Sequence, residues 1–403
     1  MNEQTTARVF ETLDRFRLEV PSWGFANTGT RFGVFHQPAA AVTVGEKIAD
    51  AGFVHTLTGV CPTVALHVQW DLPGGVDDVA TVQRLTGKAG IRPGSINPTF
   101  FQDQRYKHGS FGNPDPEVRA LARAHGLASV DLATRLGSRD LSCWFADGSN
   151  YPGTASIRQR KRFFEEELRT LHDALTGDQR LLVEYKPFEP AFYHTDIADW
   201  GMALLLARAA GRRARVLVDT GHHYQSQNIE QIVAWLLAEG MLGGFHFNDR
   251  RYADDDLTAG SIDPYQLFRI FHEIRLFEEE HGPADIAYMI DQSHNLKGKI
   301  EAMVQTVVTA QALYAKAALV NLDRLADAQA ANGLVQAESC LQDAFATDVR
   351  PAIGEWRAAK GLPVDPLDAL WQSGYVERIT AERAERRAAH PAPTLGSSSY
   401  ARP

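Results

Sequence analysis

The stretch 215-RVLVDTGHH-223 decides how this chain is read. Val216-Leu217-Val218 is a short β-branched and apolar run, the pattern of a strand buried on both faces. It ends on Asp219, a carboxylate that is expensive at the end of such a strand unless a cation meets it. Gly221 permits a turn, and His222 follows three residues after the aspartate. Asp-x-x-His at a strand end lets Asp219 touch two metal ions while His222 binds the second. His223, the neighbouring imidazole, has the blander task of an ordinary hydrogen bond.

The same design recurs along the chain in 184-EYK-186, in 246-HFND-249 followed by 254-DDD-256, and in 291-DQSH-294. Each stretch sits at or just past the end of an apolar run. Residues two apart share a strand face, so Glu184 and Lys186 face inward together. A lysine beside such a site stays charged and can donate to a substrate oxygen; the bland alternative is a Glu–Lys ion pair at a strand edge. His246 alternates with Phe245 and Phe247, where a histidine is often a core residue, but the three other loaded strand ends favour a ligand. Asp254 and Asp256 can converge on one cation while Asp255 turns away. Asp291 closes the run Tyr288-Met289-Ile290. So many carboxylates and imidazoles repel one another unless divalent cations join them. Oxygen ligands with a little imidazole suit Mn²⁺ or Mg²⁺, with Co²⁺ as an alternative. The reading is an enzyme with two divalent metal ions per subunit.

Strand-like segments at Ser22–Ala26, Ala65–Trp70, Ile91–Asn97, Leu141–Ala146, Leu181–Pro187, Arg215–Asp219, Leu242–Asn248 and Ala287–Asp291 alternate with helical ones. The helical patterns include Pro116–Ala124, Arg158–Leu175, Ile197–Ala209, Ile229–Glu239 and Pro264–Glu279, the last opened by Asp263 as cap and proline at the first position. Eight such units predict a (β/α)8 TIM barrel, an α/β fold, over residues 1–300 with an N-terminal amphipathic helix carrying Val9, Leu13 and Phe16. A doubly wound sheet is the competitor, but no glycine-rich phosphate loop follows the first strand. Residues 301–389 read as an all-helical C-terminal extension, and 390–403, rich in Pro, Ser and Gly, as a mobile tail. Trp356, Leu362, Leu367, Leu370, Trp371 and Tyr375 are expected to cover a neighbouring subunit, within a homotetramer; packing back onto the chain's own barrel is the bland alternative.

At 403 residues with 44% hydrophobic and 23% charged residues, the chain can bury a large core. A net charge of −9 leaves no basic face for nucleic acid. Three scattered cysteines argue for a reducing compartment. No signal peptide and no apolar run of membrane-spanning length are read, so the expected location is cytoplasmic. His67 in 65-ALHVQWD-71, Trp23, Asn97 and Trp144 are polar or aromatic residues at strand ends, a combination that suits sugars with their apolar C–H faces.

Together, 65-ALHVQWD-71, 183-VEYKPFEP-190, 218-VDTGHH-223, 245-FHFNDRRYADDDLTAGSIDPYQLF-268 and 289-MIDQSHN-295 resemble the bacterial L-rhamnose isomerases, in the branch with broad aldose specificity, within the xylose isomerase-like superfamily of TIM barrels. The resemblance covers about residues 20–310. It implies a structural metal on Glu184, Asp219, His246 and Asp291, and a catalytic metal with its water on His222, Asp254 and Asp256, with Asp219 bridging. Mn²⁺ is the expected ion, with Co²⁺, Mg²⁺ or Zn²⁺ as alternatives. Lys186 would contact the substrate near its carbonyl end, His67 would assist ring opening or orient the sugar, and Trp23 and Trp144 would line the pocket. The implied reaction interconverts L-rhamnose and L-rhamnulose by hydride transfer from C2 to C1. A sugar epimerase using paired glutamates and a metal-dependent endonuclease are rivals on the same barrel.

Overall fold

A computed structural model describes residues 3–28, 36–190, 193–293 and 296–389. Eight parallel strands close into a barrel: β1 (Glu19–Pro21), β2 (Thr63–His67), β3 (Arg92–Asn97), β4 (Asp140–Cys143), β5 (Arg180–Glu184), β6 (Ala214–Asp219), β7 (Leu242–Phe247) and β8 (Ala287–Ile290). Each pairs with its sequence neighbours, and β1 closes on β8. Closure rules out the open doubly wound sheet. Helices follow the strands in turn. Pro264–His281 starts as its sequence requires, with Asp263 accepting from the Gln266 amide at 2.8 Å and Pro264 in the first turn.

Most expected strands begin within a residue or two of their observed starts, but the first is displaced. The strand lies at Glu19–Pro21, and Trp23–Phe25, expected to be extended, forms a 3-10 turn. Ser22 ends the strand because its hydroxyl donates to buried Asp71 at 2.5 Å and its amide bonds the Ala65 carbonyl. The strand expected through Trp70 likewise stops at His67, where Val68–Asp71 turns helical.

The barrel is layered along its axis. Leu182, Leu217 and Met289 form a small apolar cluster of their own inside the lumen. Each lies two residues before a carboxylate: Glu184, Asp219 and Asp291. Strand alternation therefore stacks a layer of acids directly above a greasy plug. At the opposite end ion pairs close the barrel, with Arg180 gripping Asp140 at 2.7 Å and 3.0 Å. The helix Glu3–Arg15 buries Val9 and Leu13, and Phe16 follows it into the core.

Helix Lys299–Ala317 packs between Pro264–His281 and Val44–Thr58, completing the outer ring, and five further helices follow from Leu322 to Ala389. These do not hold their apolar anchors out for a neighbour. Trp356 and Leu370 are buried in this same chain, and Leu362, Leu367 and Tyr375 pack on its core. Tyr375 stacks on Phe53 at 3.8 Å, and Arg383 grips buried Asp50 at 2.8 Å and 2.9 Å. Of the six expected anchors only Trp371, 58% exposed, stays at the surface. The physical reason is that Val44–Thr58 presents Asp50 and Phe53 outward, and both need a cover. The expected mobile tail, 390–403, lies outside the described residues, as does His294. Among the described residues, no single helix is long and apolar enough to cross a membrane.

Candidate active site

The acids and imidazoles singled out in the sequence meet at the C-terminal mouth of the barrel. Cross-strand register places Asp219 of β6 beside His246 of β7. Glu184 ends β5, and Asp291 follows β8 directly. Glu184, Asp219, His246 and Asp291 can each offer one ligand atom, all within 4.8 Å of one another. A second group, Asp219, His222 and Asp254, meets the same test and shares Asp219. Asp256 stands outside both. It borders the cavity above the two groups, has a positive φ of 47°, and takes a hydrogen bond from the Ser293 hydroxyl at 2.5 Å. Asp255 turns away and accepts from the amides of Arg251 and Tyr252.

The orientation of these groups is fixed by their neighbours. The Gly221 amide and Asn248 Nδ2 donate to Asp219 Oδ1 at 2.7 Å and 3.0 Å. Asn248 also donates to the Asp291 carbonyl at 2.9 Å, tying β6, β7 and β8 together. A Cβ on Gly221 would fall 2.6 Å from Asn248 Oδ1 and 2.8 Å from Asp254 Oδ1, so only glycine lets these side chains close in. His222 Nδ1 donates to the Tyr185 carbonyl at 2.9 Å, which leaves Nε2 to face Asp254 Oδ2 at 3.3 Å. His223 makes the plain hydrogen bond expected of it, to the Tyr185 hydroxyl at 2.7 Å. Trp23 Nε1 donates to Asp291 Oδ1 at 2.7 Å.

The charge state of the cluster tests whether cations fit it. Burial pushes Asp219 up to about 7, helped by Asp254, Glu184 and Asp291 and opposed by His222. Asp256 is driven well above the usual carboxylate range by burial and then by Asp254 and Asp291. Burial disfavours charged imidazoles, yet Asp219 and Asp254 raise His222 to about 9, and Glu184 with Asp291 raises His246 to about 10. Burial also opposes a charged Lys186, but Asp254 outweighs it and holds the ammonium above its ordinary value. The site thus collects positive charge wherever it can. His246 is 2% exposed, its Nδ1 lies 3.3 Å from Glu184 Oε2 outside hydrogen-bond geometry and its Nε2 has no partner, and Asp254 Oδ1 is also buried without one. Orphaned lone pairs beside crowded carboxylates are what a divalent cation satisfies. The residues fit the metal.

A chamber of about 240 Å³ opens over the cluster. His67, Trp23, Asn97 and Trp144 all line it, as do the unforeseen Trp70, Phe101, Thr28 and Ser293. His67 Nδ1 lies 3.1 Å from Thr99 Oγ1, and burial, with Lys47 and His246 nearby, lowers its pKa to about 3, so the ring is neutral. Its ring meets those of Trp70, Trp23 and Phe101 at 4.0, 5.2 and 5.6 Å. Trp144 Nε1 is buried without a partner, and its ring lies 5.8 Å from Lys186 Nζ. Asn248 and Glu189 were also missed as site residues. Asn248 sits inside the quoted 246-HFND-249 but contacts Asp219 only through folding. Glu189 sits inside 183-VEYKPFEP-190, where nothing in its spacing marks it.

A closed (β/α)8 barrel with acids and imidazoles at its C-terminal mouth defines a TIM-barrel protein with a candidate divalent-metal centre. The chain belongs to the xylose isomerase-like TIM barrel family, which its residues 61–289 match. It is similar to a probable sugar isomerase of Mesorhizobium japonicum, 37% identical over 393 residues that span 96% of this chain and 88% of that protein. A probable sugar isomerase of Rhizobium meliloti is 38% identical over 374 residues, 91% of this chain and 86% of the relative. Among solved structures, the D-allulose 3-epimerase of Methylomonas sp. in complex with D-allulose superposes with a TM-score of 0.53 at 16% identity, covering 73% of this chain and 95% of that one. At that identity the likeness speaks for the fold.

Proposed function

We propose that the protein is a metal-dependent ketol isomerase that interconverts L-rhamnose and L-rhamnulose and accepts other aldoses. One observation carries the reading: two ligand groups that share Asp219 lie under an aromatic-walled chamber of about 240 Å³, room for one monosaccharide. The relatives described as probable sugar isomerases support the reaction class. In this reading Glu184, Asp219, His246 and Asp291 hold one divalent ion, and His222 and Asp254 hold the other with Asp219 between them and Asp256 near it. Bound there, Mn²⁺ (or Co²⁺, Mg²⁺ or Zn²⁺) supplies Lewis acidity to the sugar oxygens.

The remaining roles fall to the protein's own groups. Lys186, held charged by its acidic neighbours, donates to the oxygen at the carbonyl end. Neutral His67 can accept a hydroxyl proton during ring opening or orient the ring. Trp144 offers an unspent N–H to a hydroxyl, and Trp23, besides steadying Asp291, forms a wall with Trp70 and Phe101 that keeps water from the carbon atoms between which hydride moves. A homotetramer in the cytoplasm belongs to the proposal. Its contacts can draw on exposed apolar residues of the barrel such as Met202, Leu205 and Trp235, and on Leu334, Val335, Val364 and Trp371 of the C-terminal extension. Light scattering of the intact chain measures the subunit count.

The deciding assay strips the protein with EDTA, restores Mn²⁺, and follows ketose formation from a panel of aldoses. Activity that returns with Mn²⁺ or Co²⁺ but not Ca²⁺, highest on L-rhamnose, is expected. Full activity after stringent chelation, or no ketose from any aldose, refutes the proposal.

A further inference from the structure

Four arginines are buried among the described residues, and three of them hold an aspartate. Arg160 grips Asp196 at 2.6 Å, Arg180 grips Asp140 at 2.7 Å, and Arg383 grips Asp50 at 2.8 Å. Arg357 is the exception. It is 4% exposed, and no carboxylate among the described residues lies within ion-pair distance of it. A guanidinium stays charged at neutral pH, so a buried one needs its charge met. Asp365 acts on it only from further off, because its carboxylate caps a helix by accepting from the Leu367 and Asp368 amides. Burial outweighs that help and lowers Arg357 to about 10.

The hydrogen bonds point the same way. Nη1 of Arg357 donates to the Val364 carbonyl at 3.2 Å, and Nη2 donates to Gln311 Oε1 at 2.6 Å. Nε is buried without a partner, and so is Gln311 Nε2, on a side chain that is 0% exposed. Turning the amide over would set its nitrogen against Nη2, donor to donor, so the orphan on Gln311 stays a donor. The two orphans lie on either side of one hydrogen bond. Arg160 and Arg180 use Nε together with Nη2 to take a carboxylate, whereas the same edge of Arg357 is half filled. The missing partner is therefore an acceptor, and it has to bring the negative charge that an aspartate brings elsewhere. Water answers two donors but adds two protons and no charge. A sulfate-sized oxyanion presents more oxygens than these two free donors can meet.

We propose that Arg357 and Gln311 hold a buried monatomic anion of the chloride class, which accepts from Arg357 Nε and Gln311 Nε2 and stands in for the missing aspartate. Gln311 belongs to Lys299–Ala317, the last helix of the barrel ring, and Arg357 to Arg350–Ala359 of the C-terminal extension. The anion therefore fastens the extension to the barrel. It shares no residue with the candidate metal centre, so it holds or fails independently of the proposed reaction.

Bromide replaces chloride in such a site and scatters X-rays anomalously, so crystals of the full chain soaked in sodium bromide test it directly. An anomalous peak between Arg357 Nε and Gln311 Nε2 is expected. In solution, exchanging gluconate for saturating chloride at constant ionic strength is expected to raise the melting temperature of the wild type by about 3 °C. Arg357→Met/Gln311→Leu removes the charge and both orphaned donors together, and its melting temperature should not respond to chloride. No bromide peak, a water in its place, or a chloride shift that survives in the double variant overturns the proposal. A peak with no melting shift marks an adventitious ion only and overturns it as well. If the double variant does not fold, the peak and the wild-type shift together decide.

Discussion

Asn248 shows how much of this site hangs on single residues that carry no charge. Its amide spans the Asp219 carboxylate and the Asp291 carbonyl, so it sets the distance between β6 and β8 across the ligand cluster. Partners behind metal ligands are typically worth roughly 10–100-fold in affinity or activity. Asn248→Ala is expected to lower turnover by about that factor while the far-ultraviolet dichroism stays that of wild type; unchanged turnover would show that Gly221 alone orients Asp219. The two ligand groups make a second residue-scale prediction. His222→Ala and Asp254→Asn each remove a member of the second group and none of the first. Either variant should lose turnover and still bind one cation per chain by metal analysis. A variant that binds none means that the two groups do not fill independently.

At the scale of elements, what the sequence reveals follows from how local the cause is. The strand ends were legible because each polar residue interrupts its own apolar run, and alternation then forces Glu184, Asp219 and Asp291 above Leu182, Leu217 and Met289. The first strand was misplaced because three residues, Glu19–Pro21, carry too little pattern, and the turn at Ser22 is made by Asp71, 49 residues away. Asn248 was invisible for the same reason: its partners, Asp219 and Asp291, end other strands. The C-terminal helices misled most, since an exposed-looking apolar stripe does not say whose surface it covers. Here it covers Val44–Thr58 of the same chain, and the seal is polar. Arg383 and the Tyr375 hydroxyl satisfy Asp50, which is fully buried. Arg383→Met strands that carboxylate and should cost about 3–5 kcal/mol in urea unfolding, whereas Asp50→Leu/Arg383→Met, with no charge left behind, should cost much less. Equal losses would mean that the pair contributes packing only. Cutting the chain at Lys299 would not isolate these helices, because Met303, Val304 and Val307 of the barrel's last helix are buried in the core.

Across the whole molecule, the two barrel ends divide the labour. Ion pairs around Arg180 close the bottom, the top gathers unpaired ligands, and stability must come from the rest. That rest includes histidines buried in neutral form, which make the fold sensitive to acid at a distance from the site. His272, on the helix Pro264–His281, is 5% exposed, and burial lowers its pKa from 6.5 to about 4. Between those values the unfolded chain binds a proton that the folded chain refuses, so stability rises with pH there. The contribution is fully present above about pH 6.5 and is lost as pH falls through 4. At pH 4.5 the loss from this one residue comes to about 2.5 kcal/mol relative to pH 7.5. Urea unfolding of the chelated protein at the two pH values measures it, against His272→Leu as the control. The wild type should lose more stability than the variant by about that amount, because the leucine has no proton to refuse. If both lose the same, His272 is protonated at no cost in the folded state, and the acid sensitivity of the barrel has to be sought among its carboxylates.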